Sequence, residues 1–151
     1  MIEPNASLSR VRVLAVSPSD KDHTTLSHIF GHTSWDLECV RTLSEASRRL
    51  SETPAPVVIC ENILPDGDWK DMLSTARSLS DGCSVIVMSE CADERLWAEV
   101  LNIGAYDVLA KPLLATEVFA SVGQAWRHWL GSRKSATRAV SANTAAVAAV
   151  A

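Results

Sequence analysis

The chain has 151 residues, of which 47% are hydrophobic and 21% are charged, and its formal net charge is −4. This length suits a single globular domain whose core is large enough to fold without disulfides or structural metals. The acidic balance gives no electrostatic reason to expect nucleic acid or an anionic membrane as a partner, and no apolar run is long enough to span a bilayer.

The cysteines and the N-terminus predict a cytoplasmic protein. The four cysteines, at positions 39, 60, 83 and 91, form neither a Cys-x-x-Cys pair nor a cluster with zinc spacing. We therefore expect reduced thiols and no metal site among them. The first five residues lack the basic start and the apolar core of a signal peptide.

Short β-type runs alternate with helical patterns along most of the chain. Residues 1–10 are polar and aperiodic, so we expect a flexible leader there. The expected strands are 11–16, 35–40, 57–60, 84–88 and 107–109. The expected helices are about 20–31, 42–50, 68–79, 92–103 and 115–129. The third and fourth strands are almost continuously apolar, which is typical of a parallel sheet covered on both faces.

Five strands that alternate with five helices predict an α/β fold with right-handed crossovers. The element count suits a doubly wound, flavodoxin-like sheet of order 2-1-3-4-5, and we expect the first strand to be central. The predicted domain covers residues 11–130. Beyond it, residues 131–151 are rich in Ala and Val, and we expect this tail to be disordered or weakly helical.

Chemistry-bearing side chains follow several of the predicted strands. Glu61 ends the third strand, Ser89 ends the fourth, and Lys111 follows the fifth. Because open α/β sheets bind ligands at the carboxyl ends of their strands, we expect these residues to converge. Glu61 could bear or mimic a phosphoryl group, while Ser89 and Lys111 could hydrogen-bond and neutralise it.

Three segments resemble the response-regulator receiver (CheY-like) family. Residues 57–67 read Val-Val-Ile-Cys-Glu-Asn-Ile-Leu-Pro-Asp-Gly, like the strand and turn that carry the phosphoryl-accepting Asp. Residues 104–112 read Gly-Ala-Tyr-Asp-Val-Leu-Ala-Lys-Pro, like the family's segment that ends in Lys-Pro. Residues 85–89 read Val-Ile-Val-Met-Ser, like the strand that delivers a Thr or Ser. The resemblance covers about residues 10–130 and implies a role in two-component phosphorelay signal transduction.

The sequence departs from the family at the positions that carry its chemistry. The acidic pair that holds Mg²⁺ is replaced by Ser17 and Pro18, the acceptor Asp by Glu61, and the aromatic switch residue by Val108. Asp20 lies near Pro18, but we interpret it as a favourable charge at a helix N-terminus. Because Mg²⁺ needs hard oxygen ligands, we expect that metal binding and normal aspartyl phosphorylation are both lost.

The resemblance and its departures together predict an atypical, non-enzymatic pseudo-receiver without a cofactor. We expect a Glu61–Lys111 ion pair to hold it in one signalling state. Output would then be contact with a histidine kinase or a downstream signalling protein, with no nucleic acid or membrane partner, and a second copy of the chain is a further candidate. The expected surface is formed by the fourth helix, the fifth strand and the fifth helix, which include Trp97, Trp126 and Trp129.

Two alternatives remain open from the sequence. One is a conventional phosphorelay receiver that uses an unusual acceptor. The other is a flavodoxin-like cofactor-binding protein, because residues 17–25 are rich in hydroxyls where a flavin phosphate loop would lie. That segment contains no Gly, which close backbone approach to a phosphate normally needs.

Overall fold

The computed structural model of the chain describes residues 11–79 and 81–150, with side chains as far as residue 132. The leader predicted for residues 1–10 lies outside the described residues. Among the described helices, none combines the length and the hydropathy that crossing a bilayer requires.

A five-stranded parallel sheet forms the centre of the molecule. Its strands are β1 (Arg12–Val16), β2 (Asp36–Val40), β3 (Val57–Glu61), β4 (Ser84–Ser89) and β5 (Asp107–Ala110). They lie in the order β2-β1-β3-β4-β5, and all neighbours pair in parallel, as predicted. The expectation that the first strand is central is wrong, because β3 is the middle strand and β1 lies between β2 and β3.

The helices follow the predicted alternation. They are α1 (Asp20–Phe30), α2 (Leu43–Glu52), α3 (Trp69–Ser78), α4 (Glu94–Ile103) and α5 (Ala115–Val150). The last helix continues beyond its expected end near Trp129, and the domain boundary placed there stays a prediction. A small antiparallel hairpin that was not predicted, Ile63–Leu64 paired with Gly67–Asp68, connects β3 to α3.

The sheet separates two apolar clusters, one on each face. On one face α2, α3 and α4 bury residues that include Leu50, the fully enclosed Trp69, and Val100. On the other face α1 and α5 bury residues that include Leu26 and Val122. Because both faces are covered, β3 and β4 are buried along almost their whole length, which explains their continuously apolar sequences.

Side-chain caps fix where the helices near the carboxyl edge begin. Ser19 caps α1 by accepting a hydrogen bond from the Asp22 backbone N–H at 3.4 Å, and Asp93 caps α4 through the Leu96 N–H at 2.9 Å. α4 ends at Gly104, whose positive φ of 111° gives a left-handed C-terminus, as the sequence predicts. These caps set the loops from which the site is built.

Candidate functional site at the carboxyl edge of the sheet

The carboxyl edge of the sheet brings the predicted residues together. Glu61 at the end of β3 is in register with Met88 of β4. The Lys111 backbone N–H donates to the Ser89 carbonyl at 2.9 Å, which places the residue after β5 beside the end of β4. Parallel pairing thus delivers Glu61, Ser89 and Lys111 to one side of the molecule, as expected.

Glu61 and Lys111 form a direct ion pair, so the contact predicted between them is confirmed. The Lys111 ammonium Nζ contacts the Glu61 oxygen Oε2. The Lys111 side chain is 13% exposed and that of Glu61 is 17% exposed. The pair is therefore largely withdrawn from water, where an unpaired charge would be costly.

A second carboxylate, that of Asp22, contacts the same ammonium. Asp22 Oδ2 lies 2.7 Å from Lys111 Nζ and accepts a hydrogen bond from Ser17 Oγ at 2.6 Å. The Asp22 side chain is 8% exposed. Asp22 was not among the residues predicted to converge at this edge. Ser19 and Asp22, three residues apart, have the spacing of a capping box, but only half of it forms. The Ser19 side chain accepts from the Asp22 N–H, whereas the Asp22 carboxylate turns into the site.

The pattern of α1 contains a signal for Asp22 that the sequence reasoning missed. The buried residues of this helix are Asp22, Leu26, Ile29 and Phe30. Their spacing of four, seven and eight residues is that of one helix face. Placing Asp22 on this stripe, rather than treating it only as a capping residue, predicts that it faces the sheet edge.

The segment after β1 provides a hydroxyl where the family has its acidic pair. Ser17 is fully buried, and its hydroxyl accepts from the Ser19 N–H at 3.1 Å while it donates to Asp22. Pro18 is exposed, and its carbonyl oxygen accepts from Arg41 at 3.0 Å. Asp20 is also exposed and pairs with Arg41. Ser17 therefore belongs to the charged cluster, whereas Pro18 and Asp20 face outward.

Ser89, at the end of β4, and Val108, within β5, take no part in the ion pairs of Lys111. The buried Ser89 hydroxyl oxygen accepts from the Cys91 N–H at 3.0 Å, which shapes the loop after β4. Val108 is buried within β5. Tyr106 precedes that strand, and its ring packs against His128 with centroids 5.2 Å apart. The roles predicted for Ser89 and Val108 stay predictions.

Burial and charge act in opposite directions within the cluster. Burial raises the pKa of Glu61 above its ordinary value, the Lys111 ammonium partly opposes this, and the Asp22 charge adds to it. Burial alone would lower the pKa of Lys111, but the hydrogen bonds and charges of Asp22 and Glu61 together outweigh burial and leave that pKa raised. Lys111 therefore remains an ammonium at neutral pH.

The residues at this edge do not fit the Mg²⁺ ion that a receiver-like acidic pair would hold. Mg²⁺ demands near-octahedral oxygen ligation, whereas the Asp22 and Glu61 oxygens that face each other already share the Lys111 ammonium. Within residues 11–79 and 81–132, no group of three or more His, Cys, Asp or Glu side chains is placed to hold a metal ion.

Comparisons with known proteins find relatives in bacterial regulation. The chain is 36% identical over 92 residues to the probable transcriptional regulatory protein y4xI of Sinorhizobium fredii, a match that covers 60% of this chain and 40% of that protein. It is 31% identical over 106 residues to the transcriptional regulatory protein PmrA of Pectobacterium parmentieri, with coverages of 69% and 47%. The chain thus spans less than half the length of both relatives.

Solved structures of receiver domains have the same fold as this chain. The signal receiver domain of an HD domain-containing protein from Pseudomonas fluorescens matches with a TM-score of 0.75 and 23% identity. That match covers 83% of this chain and 93% of the solved one. No family model matches the chain.

Proposed function

We propose that this chain, which has the fold of a response-regulator receiver domain, acts in cytoplasmic two-component signalling without being phosphorylated. It is a non-catalytic module that works through contact with another protein. The observation that carries the proposal is the Lys111 ammonium held between the carboxylates of Glu61 and Asp22. This arrangement provides a fixed charge pair at the position where a conventional receiver accepts its phosphoryl group.

The same arrangement opposes phosphoryl transfer. A phosphoryl donor would meet two carboxylates and one ammonium, so the cluster carries a net negative charge that repels it. Catalysis of this reaction depends on neutralising and positioning the phosphoryl group, which a metal ion normally assists. Glu61 also carries its carboxylate one methylene further than Asp, and misplacement on the order of 1 Å can cost ~10²-fold in rate.

Intact-mass spectrometry tests the proposal directly. We expect no phosphoryl mass gain after incubation with acetyl phosphate and Mg²⁺, while a conventional receiver with an Asp acceptor, treated alongside, gains one phosphoryl group. A stable gain in the wild-type chain that disappears in Glu61→Gln would contradict the proposal. It would favour instead a phosphorelay receiver with a glutamate acceptor.

Contact with a protein partner is supported by the surface of α4, β5 and α5. Trp97 is 38% exposed and Leu101 is 55% exposed on α4. Trp97 borders a shallow cavity of about 360 Å³ that is also lined by residues of β5 and α5. Trp126 packs instead against the core, and the Trp129 indole donates to the Asp81 carbonyl at 3.1 Å. Of the three tryptophans, Trp97 is therefore the best candidate for a residue that contacts a partner. That partner would be a histidine kinase, a downstream protein or a second copy of the chain.

A further inference from the structure

We infer that Lys111 is the permanent cation of this site and that Asp22 is the residue that positions it. The inference rests on the proposed function and deepens it, because it explains what stands in place of a metal ion. Asp22 comes from the first turn of α1, not from the end of β1 where an acidic pair would lie. It is thus a replacement that enters the site from another element.

The direction of the Asp22 carboxylate is fixed by Ser17. The Ser17 oxygen accepts from the Ser19 N–H, so its own proton is directed to Asp22 Oδ2. The Ser17 backbone is held as well, because its N–H donates to the Val40 carbonyl at 3.0 Å. Ser17, which stands where a receiver has an acidic residue, thereby orients the carboxylate of Asp22.

The position of Lys111 is fixed at both ends of the residue. Its backbone N–H bonds to the Ser89 carbonyl, and its ammonium contacts Asp22 and Glu61 from opposite elements, α1 and β3. Asp22 Oδ2 and Glu61 Oε2 both reach this one nitrogen, so one small cation is able to touch both oxygens. The tethered ammonium already takes that place.

A divalent ion in solution has to displace a cation that is covalently attached to the site. A tethered group competes at an effective concentration on the order of millimolar or higher, and here it is also pre-positioned by the end of β5. We therefore expect the wild-type site to exclude divalent ions. Removing the ammonium should expose two facing carboxylates and create a binding site for a hard divalent ion.

Titration with Mn²⁺, followed by electron paramagnetic resonance of the free ion, tests this on the full chain. We expect no uptake by the wild type at millimolar Mn²⁺, stoichiometric uptake by Lys111→Met, and loss of that uptake in Lys111→Met combined with Asp22→Asn. Lys70→Met, which removes a lysine from an exposed ion pair with Glu99, should behave like the wild type. Uptake by the wild type that Asp22→Asn abolishes, or no uptake by folded Lys111→Met, would overturn the inference.

A second measurement keeps Lys111 in place and so does not depend on Lys111→Met folding. Reductive methylation, mapped by peptide mass spectrometry, reports the access and protonation of each lysine amine. In Asp22→Asn we expect Lys111 to be methylated several-fold faster than in the wild type, because the loss of the Asp22 contact frees the amine and lowers its pKa, with Lys70 unchanged as the internal reference. An unchanged rate at Lys111 would mean that Asp22 does not position it.

These results are separable from the proposed function. A phosphoryl gain on Glu61 without Mn²⁺ uptake by the wild type would remove the proposed function and leave the cation role of Lys111 standing. Uptake of Mn²⁺ by the wild type without any phosphoryl gain would remove the cation role of Lys111 and leave the proposed function standing.

Discussion

Lys70 and Lys111 show how strongly burial changes the contribution of an ion pair to stability. Lys111 is 13% exposed and touches two carboxylates, whereas Lys70 is 48% exposed and pairs with Glu99 at 2.7 Å. Removing one partner of a buried pair leaves uncompensated charge, while an exposed pair is screened by water. The two lysines therefore provide a matched comparison within one chain.

We predict that Lys111→Met lowers the free energy of unfolding by about 3 kcal/mol, because it leaves Asp22 and Glu61 facing each other in a site with little water. Lys70→Met should cost only about 0–1 kcal/mol. Urea unfolding at neutral pH measures both. Equal effects of the two substitutions would show that the carboxyl edge is far more hydrated than the exposed fractions indicate.

Glu61 should make stability depend on pH in a defined direction. Its folded-state pKa is raised, chiefly by burial, above the ordinary value of 4.5. The stability that its protonated form contributes is therefore fully present below that value and is lost as the pH rises through the raised folded-state pKa. We predict that the wild type becomes less stable relative to Glu61→Gln as the pH rises above 4.5 towards neutrality. Urea unfolding of both proteins across this range should show the gap; a constant difference would contradict the pKa shift.

At this scale the sequence predicted part of the site. Glu61 and Lys111 could be placed because each immediately follows, or ends, a recognisable strand, and parallel strands share one edge. Asp22 could not be placed in the same way, because its local capping pattern gave a sufficient explanation for an acid in the first turn of a helix. Its partner Lys111 is 89 residues away, and local patterns carry no information on that contact.

The end of α4 is defined by a glycine with a positive φ. Gly104 closes it with φ of 111°, and a Cβ atom added there would meet the guanidinium of Arg77, which donates to the Ile103 carbonyl at 2.5 Å. Gly131, in α5, has no atom within 4 Å of an added Cβ. The backbone conformation at position 104 therefore requires glycine, whereas position 131 has room for a side chain.

We predict that Gly104→Ala lowers the free energy of unfolding by at least about 1 kcal/mol, since a side chain at this φ is strained. Gly131→Ala should raise it by about 0.5–1 kcal/mol, because alanine loses less backbone freedom in a helix. Thermal unfolding of both variants is a sufficient measurement. A stabilised Gly104→Ala would mean that α4 ends in another backbone conformation.

The helices were predictable because each buries one face in a periodic pattern, and β3 and β4 because their sequences are short, continuously apolar runs. The hairpin of Ile63–Leu64 and Gly67–Asp68 was not, because strands of two residues are too short to show alternation. The predicted order 2-1-3-4-5 is confirmed and has β3 in the middle, so only the expectation of a central first strand was wrong. Sequence patterns thus located the elements, and the number and alternation of the elements suggested their order in the sheet.

For the molecule as a whole, the site and the proposed contact surface share β5. Val108 lies within this strand, Lys111 follows its end, and the strand borders the cavity beside Trp97. An ammonium held by Asp22 and Glu61 therefore fixes the end of a strand that borders the proposed contact surface. Through β5, the ion pairs of Lys111 would hold the proposed contact surface in one conformation without any phosphoryl group.

The last prediction concerns that surface and compares two exposed apolar residues. Trp97 is 38% exposed beside β5 and α5, whereas Ile63 is 69% exposed in the hairpin after β3. Large aromatic side chains contribute most to binding when a partner covers them. With a partner first identified by capture on the wild-type chain, we predict that Trp97→Ala weakens binding by roughly 2 kcal/mol. This corresponds to about a 30-fold rise in Kd.

Ile63→Ala should leave this Kd unchanged although it removes the more exposed side chain. Both substitutions remove exposed atoms, so neither should lower the unfolding temperature by more than a few degrees, and circular dichroism provides that check. Calorimetric titration of the captured partner gives the Kd values. If Ile63→Ala abolishes binding and Trp97→Ala does not, the partner binds at the hairpin after β3, and the link through β5 from Lys111 to the contact surface is removed.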